Sequence, residues 1–111
     1  MKCIFCKIVS KDIPSKIVFE DDNLIAIEDL SPQAPVHILI FPKRHYTSLM
    51  DCDDKDLLGK MLLTARMIAE EKGVHEKGFR TVINTREWGG QTVHHLHMHL
   101  LAGKPLSGRL G

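Results

Sequence analysis

The chain of 111 residues contains no apolar run near the ~18–20 residues that a membrane span requires, so no such span is expected. Its first residues, MKCIFCKIVSK, are too few and too charged for a secretory leader, and the expected location is the cytoplasm. Charge of one sign is also scarce: the formal net charge is +1 at pH 7. That balance argues against bulk nucleic-acid binding and leaves room for a local phosphate site. Cysteine is limited to Cys3, Cys6 and Cys52, an odd set that is not read as a disulfide framework in a reducing compartment. Internal repeats and low-complexity segments are absent.

What is present is an ordinary globular balance, 43% hydrophobic and 26% charged, enough for a real core in a single domain over residues 1–111. Within the first ten residues Ile4, Phe5 and Ile8 fall on one side of one or two helical turns, a pattern broken at Ile13-Pro14-Ser15. Lys16–Glu20 and Asn23–Asp29 read as strands of a hairpin turning at Asp21-Asp22. After the turn-rich Ser31–Pro35, Val36–Phe41 reads as a central strand. Leu57, Leu58, Met61, Leu62, Ala65, Ile68 and Ala69 keep a helical period from an aspartate cap near Asp53 to about Lys72, with Gly73 at the stop. Asp51, Asp53, Asp54 and Asp56 lack the spacing of a calcium loop and read as charge bias at the helix start. Phe79–Asn84 and Thr92–Ala102 are expected as the remaining strands, with a loop at Trp88-Gly89-Gly90 between them and an extended tail beyond Gly103.

The last of these strands carries the chemistry. His94-His95-Leu96-His97-Met98-His99 places four of the seven histidines within six positions. Side chains alternate along a strand, so His95, His97 and His99 share one face, while Leu96, Met98 and Leu100 share the other, can bury against the long helix, and are expected to have His94 on their face. Imidazole can attack phosphorus, move a proton or bind metal. A metal held by the row alone is disfavoured, because three ligands in a line fit a tetrahedron poorly. Gly89-Gly90-Gln91-Thr92 precedes the row and can bring N–H, amide and hydroxyl donors to an anion. Together these suit phosphoryl or nucleotidyl transfer. A nucleophilic imidazole needs a bare attacking nitrogen, so its other nitrogen should donate to a fixed acceptor, and nearby backbone can supply one for the middle histidine. The other histidines and the loop N–H groups would stabilise phosphoryl charge and relay a proton to the leaving group.

Gln91–Leu101, with its His-x-His-x-His core, resembles the histidine triad motif, and three further segments resemble the nucleoside-phosphoramidate hydrolase branch of that family. These are Ile13-Pro14-Ser15-Lys16 with Phe19-Glu20-Asp21, then Asp29–His37, then Phe41-Pro42-Lys43-Arg44-His45. The likeness runs from about Cys3 to Gly103, leaving 104–111 as a tail without the aromatic ending common in the family. The resemblance implies an α+β fold with a five-stranded antiparallel sheet, one long and one short helix, and a sheet continued across a homodimer. It implies hydrolysis of purine nucleoside 5′-phosphoramidates, AMP-linked amines, through a nucleotidyl-histidine intermediate, with no cofactor needed for the chemistry. His97 would be the nucleophile, His99 would contact the phosphate, and His37 and His95 would belong to the catalytic network. Asn84, Gly90, Gln91 and Thr92 would line the phosphate site, and Asp29 would hold the ribose hydroxyls. Ile4, Phe5, Ile8, Ile27 and Leu30 would wall the base pocket.

The pair Cys3-x-x-Cys6 alone is a weak metal signal, equally read as two packed cysteines. By the resemblance, His45 and His95 would complete a Cys₂His₂ site for a structural zinc ion, as in some bacterial members. Two other functions stay open: hydrolysis of dinucleoside polyphosphates or nucleotidylyl transfer within the same superfamily, and nucleotide binding without catalysis.

Overall fold

The computed structural model describes residues 3–109. Element order is α1 (Ile4–Val9), β1 (Ile17–Glu20), β2 (Leu24–Glu28), β3 (Val36–Pro42), α2 (Lys55–Glu71), β4 (Arg80–Val82) and β5 (Met98–Ala102), with short 3₁₀ turns at Leu49–Asp51 and Glu87–Gly89. The strands form one five-stranded sheet in the order β1-β2-β3-β5-β4, every pair antiparallel. None of the described helices is long and apolar enough to cross a membrane.

Local chemistry accounts for the elements. At the first hairpin, Asp21 Oδ1 accepts from the N–H groups of Asn23 and Leu24, both at 2.8 Å, closing the turn with a side chain. Asp54 caps α2 by accepting from Leu57 N–H at 3.0 Å. At its other end, Gly73 at φ +71° stops the helix. There Gly73 N–H donates to Glu70 and Val74 N–H to Ala69, the paired bonds of a Schellman stop. The six residues of α1 are too few to hold a helix on propensity. Packing supplies the rest, since Phe5 stacks on Phe41 with ring centroids 4.4 Å apart.

Alternation along the strands divides the sheet into two working faces. Leu24, Ala26, Ile38, Ile40, Leu96, Met98 and Leu100 pack on Leu57, Met61, Ala65 and Ile68 of α2. On the other face Ile25, Ile27, Leu39 and Phe41 pack with Phe5 and Ile8 of α1. Leu96, Met98 and Leu100 thus bury on the α2 side, as their alternation with the histidines requires.

Three expectations need correction. The last strand begins at Met98, not Thr92, so His95 and His97 precede it. Pairing of β3 with β5 runs from Val36↔Ala102 to Ile40↔Met98. Continuing that register would set Leu96 opposite Pro42, which has no N–H to donate. The Pro42 carbonyl instead faces His95 Nε2 at 2.8 Å, and Leu96 N–H turns away to Tyr46 O at 2.7 Å. Similarly, β4 is only Arg80–Val82, shorter than Phe79–Asn84 because Asn84 is drawn into a turn by its own side chain, whose Nδ2 donates to Gly89 O at 2.8 Å. His94 is exposed, off the buried Leu96 face, because the chain at 93–95 bends before the strand.

Ile68 is fully buried between α2 and the sheet. Truncating it, Ile68→Ala, is expected to cost about 2–5 kcal/mol of unfolding free energy. Met50→Ala, at a residue 66% exposed, should stay within about 0.5 kcal/mol. Denaturant midpoints of both variants check this.

Candidate active site and metal centre

Two groups of side chains assemble on the α1 side of the sheet. In the first, β3 supplies His37, β5 supplies His99, the segment before β5 supplies His97, and the turn after β2 supplies Asp29. The register pairs Leu39 with His99 and His37 with Leu101, so His37 and His99 are diagonal neighbours on one face. Their rings meet, His37 Nε2 to His99 Nδ1, at 2.9 Å. Asp29 Oδ2 lies 3.5 Å from His37 Nε2, and Asp29 Oδ1 accepts from Ser31 N–H at 2.7 Å. His97 packs against His99 with centroids 5.1 Å apart.

The hydrogen bonds dictate where the protons sit. Gln33 N–H donates to His37 Nδ1 at 3.0 Å, so the proton of a neutral His37 is on Nε2. That N–H donates to His99 Nδ1, which leaves the His99 proton on Nε2. A carbonyl only accepts, so His97 Nδ1 donates to His95 O, at 2.7 Å, and the His97 Nε2 lone pair is bare. One histidine with a bare nitrogen thus stands beside another with an N–H.

Burial keeps this group uncharged. Desolvation pushes the His37 and His97 pKa values below the ordinary range, and the Asp29 carboxylate pulls both partly back. His99 is lowered to about 4, first by desolvation, then by repulsion from His97 and His37, against the pull of Asp29. Beside His37 and His99 lies an open cleft of about 430 Å³, lined further by Gln33, Arg80, Asn84 and the tail residues Lys104–Ser107.

The second group joins α1 to the loop after β3. Cys3 Sγ is 3.4 Å and Cys6 Sγ 3.7 Å from His95 Nδ1, Cys6 Sγ is 3.3 Å from His45 Nδ1, and the two Nδ1 atoms are 3.1 Å apart. Tetrahedral coordination at ordinary zinc bond lengths sets sulfur and nitrogen donors about 3.5 Å apart and two nitrogens about 3.3 Å apart. The four residues therefore fit a tetrahedral metal ion. His95 Nε2–H donates to Pro42 O at 2.8 Å, the outer bond that fixes a ligating imidazole. Burial and the neighbouring Cys3 thiol push the Cys6 thiol up, a penalty a bound cation would reverse.

The remaining expected residues separate. Gln91 is buried with its amide engaged: Nε2 donates to Thr47 O and Val93 O, and Oε1 accepts from Arg86 N–H. It braces the loop rather than offering its amide to an anion. The brace also holds Arg86 at φ 60°, a conformation costly for a residue with a Cβ. Gly90, at φ +83°, and Thr92 are exposed at the loop surface. Phe5, Ile8 and Ile27 form a buried wall beside the histidines, whereas Ile4 is 45% and Leu30 90% exposed. Trp88 is fully exposed and neither packs nor covers the site. His95 was expected in both groups. With Nδ1 turned to the cysteines and Nε2 bonded to Pro42 O, neither ring nitrogen is free for acid–base work, so its side chain belongs to the metal group. Sequence reasoning did not identify the Gln33 N–H and the Pro42 carbonyl as ring-fixing partners. Backbone groups carry no residue signature, and only their neighbourhood in motif segments could have pointed to them.

Residues 10–106 match the HIT domain family model. The chain belongs to the histidine triad family. Among its relatives, the purine nucleoside phosphoramidase of Escherichia coli K12 is 48% identical over 105 residues, covering 93% of this chain and 88% of the relative. The 14 kDa zinc-binding protein of Brassica juncea is 45% identical over 108 residues, 94% of this chain and 95% of the relative. A solved histidine triad protein from Clostridium difficile superposes with a TM-score of 0.94 at 49% identity, covering 99% of this chain and 97% of that one. The α+β, five-stranded fold is that of the family.

Depressed imidazole pKa values set the sign of a pH effect. Above pH 6.5 His99 is neutral in folded and unfolded chains alike. As pH falls from 6.5 to about 4, the unfolded chain takes up a proton that the folded one refuses, so stability drops through that window and levels below it. We expect the His99 ring to titrate with a midpoint near 4 by NMR. Replacing it, His99→Gln, should weaken the loss of stability between pH 6.5 and 4.

Proposed function

We propose that this protein hydrolyses purine nucleoside 5′-phosphoramidates, AMP-type nucleotides joined to an amine, with His97 as nucleophile. The observation that carries the reading is the 2.7 Å bond from His97 Nδ1–H to the His95 carbonyl, which leaves the Nε2 lone pair of a buried ring bare. In the first step Nε2 forms a bond to the α-phosphorus while the P–N bond breaks. The departing amine takes a proton, for which His99 Nε2–H is the adjacent donor. The imidazolium formed on His97 keeps its bond to the His95 carbonyl and feels the Asp29 carboxylate. Water then attacks phosphorus and gives a proton back to His99 Nε2, the N–P bond breaks, and the nucleotide leaves with His97 and His99 restored. No step calls for a metal.

The binding roles follow the same reading. Asp29 takes the ribose hydroxyls, while Phe5, Ile8 and Ile27, with Ile4 and Leu30 at the rim, receive the base. Asn84, Gly90 and Thr92 border the phosphate, with Gln91 holding their loop in place. Zinc is the ion proposed for Cys3, Cys6, His45 and His95, where it would fasten α1 to the sheet. A homodimer completes the assembly, supported by the exposed edge strand β4 and the exposed Leu62, Leu63 and Phe79. The chain is read as a single domain with its core at 3–103. Its free cysteines suit a reducing cytoplasm.

Incubation with an AMP-linked amine should release amine and AMP, faster than diadenosine polyphosphates are cleaved. The variant His97→Ala should lose at least about 10³-fold in kcat while keeping the far-ultraviolet spectrum of the parent. Retained turnover in that variant would remove His97 from its role, and absence of turnover in the parent on every nucleotide tried would leave a binding protein. Elemental analysis should find one equivalent of zinc per chain, lost in Cys6→Ser.

A further inference from the structure

The metal group and the histidine row share one residue. His95 turns Nδ1 toward Cys3, Cys6 and His45, donates from Nε2 to Pro42 O, and offers its backbone carbonyl to His97 Nδ1–H at 2.7 Å. Phe5, between the two cysteines, lies edge-on to both rings, with centroids 5.6 Å from His95 and 5.0 Å from His97. We infer that the Cys3–Cys6–His45–His95 site positions the nucleophile through His95, beyond fastening the N-terminal helix, a role that rests on His97 being the nucleophile.

The argument is geometric. Residues 95–97 lie before β5, so no regular ladder fixes the direction of the His95 carbonyl. Leu96 N–H, which shares the peptide plane with that carbonyl, donates to Tyr46 O in the segment that also carries His45. Everything else that orients residue 95 acts through its ring. Two sulfurs and the Nδ1 atom of His45 meet that ring at 3.1–3.7 Å, close enough for a shared cation. Without the cation the ring keeps its bond to Pro42 O and its packing on Phe5 and Phe41 but loses what fixes the direction of Nδ1, and the peptide plane at 95–96 gains freedom. His97 Nδ1–H then loses a fixed acceptor. The alternative tautomer, with the proton on Nε2, has no lone pair to direct at phosphorus. Metal loss is therefore expected to act on kcat more than on KM, because Asp29 is held by Ser31 N–H and His37, neither a ligand of the site, and Phe5 keeps its own stack on Phe41.

The test compares metal-loaded protein, chelator-stripped protein and the variant His45→Ala, which removes an exposed ligand and spares the buried framework. Circular dichroism checks that each is folded, and elemental analysis checks its zinc. Ring ¹⁵N shifts read the His97 tautomer, and steady-state kinetics on an AMP-linked amine read kcat and KM. In the stripped protein and in His45→Ala, kcat should fall about 10–100-fold with a smaller change in KM, and His97 should pass from one tautomer to a mixture. Refilling the stripped protein with zinc should restore both. A folded, zinc-free protein with unchanged kcat, or with His97 still in the Nδ1–H form, overturns the inference and leaves the site a staple. The tautomer readout does not depend on turnover. A wrong nucleophile, revealed by an active His97→Ala, is thereby separated from a wrong coupling.

Discussion

The bond from the His97 ring to the carbonyl of His95 is the constraint on which the rest of the site depends. A neutral imidazole has one proton and two nitrogens, and only its surroundings decide which nitrogen stays bare. A carbonyl decides it without ambiguity, because it can only accept. The chain obtains that carbonyl by staying out of the sheet until β5, because at Leu96, two residues before it, Pro42 cannot extend the ladder. The same departure frees Pro42 O to take the ring N–H of His95. A proline that looks like a strand terminator thus helps set the protonation of a histidine elsewhere in the chain.

Around this point the sheet keeps two environments apart. The α2 face is wholly apolar at its centre and supplies the rigidity that a precisely held ring requires. The α1 face mixes aromatic side chains with imidazoles, and its burial keeps His37, His97 and His99 uncharged. Asp29 opposes that desolvation with a partly exposed negative charge. The balance suits the proposed reaction, which needs a neutral ring at its start and a cationic one during it. Full burial without the carboxylate would penalise the imidazolium, and a solvated row would be largely protonated under mildly acidic conditions.

The histidines carry two kinds of order. In one group, ring-to-ring and ring-to-backbone bonds fix tautomers from Gln33 N–H through His37 to His99. In the other, His45 and His95 turn their Nδ1 atoms toward a pair of sulfurs. His95 stands at the junction, and this is why the first residue of the histidine row has no ring nitrogen left for acid–base work. Phe5 gives the two groups a shared apolar wall, stacked on Phe41.

Much of the architecture was legible in the linear chain. Apolar periodicity marked α2, Asp54 and Gly73 carried its cap and stop, and alternation placed Leu96, Met98 and Leu100 on the helix face. These are local signals, set by the 3.6- and 2-residue periods and by the chemistry of caps. The histidine row and the motif segments marked the family and a candidate site. The chain alone could not show that the last strand starts at Met98, that Gln91 spends its amide on its own loop, or that Leu30 faces solvent. Each depends on a partner distant in sequence: Pro42 opposite Leu96, Thr47 beside Gln91, and the absence of close packing over the turn after β2. Residue types and their spacing determined which groups are available. Only the tertiary structure decided which nitrogen of each ring is free, because protons follow hydrogen-bond partners, and here those partners are backbone atoms brought close by the fold.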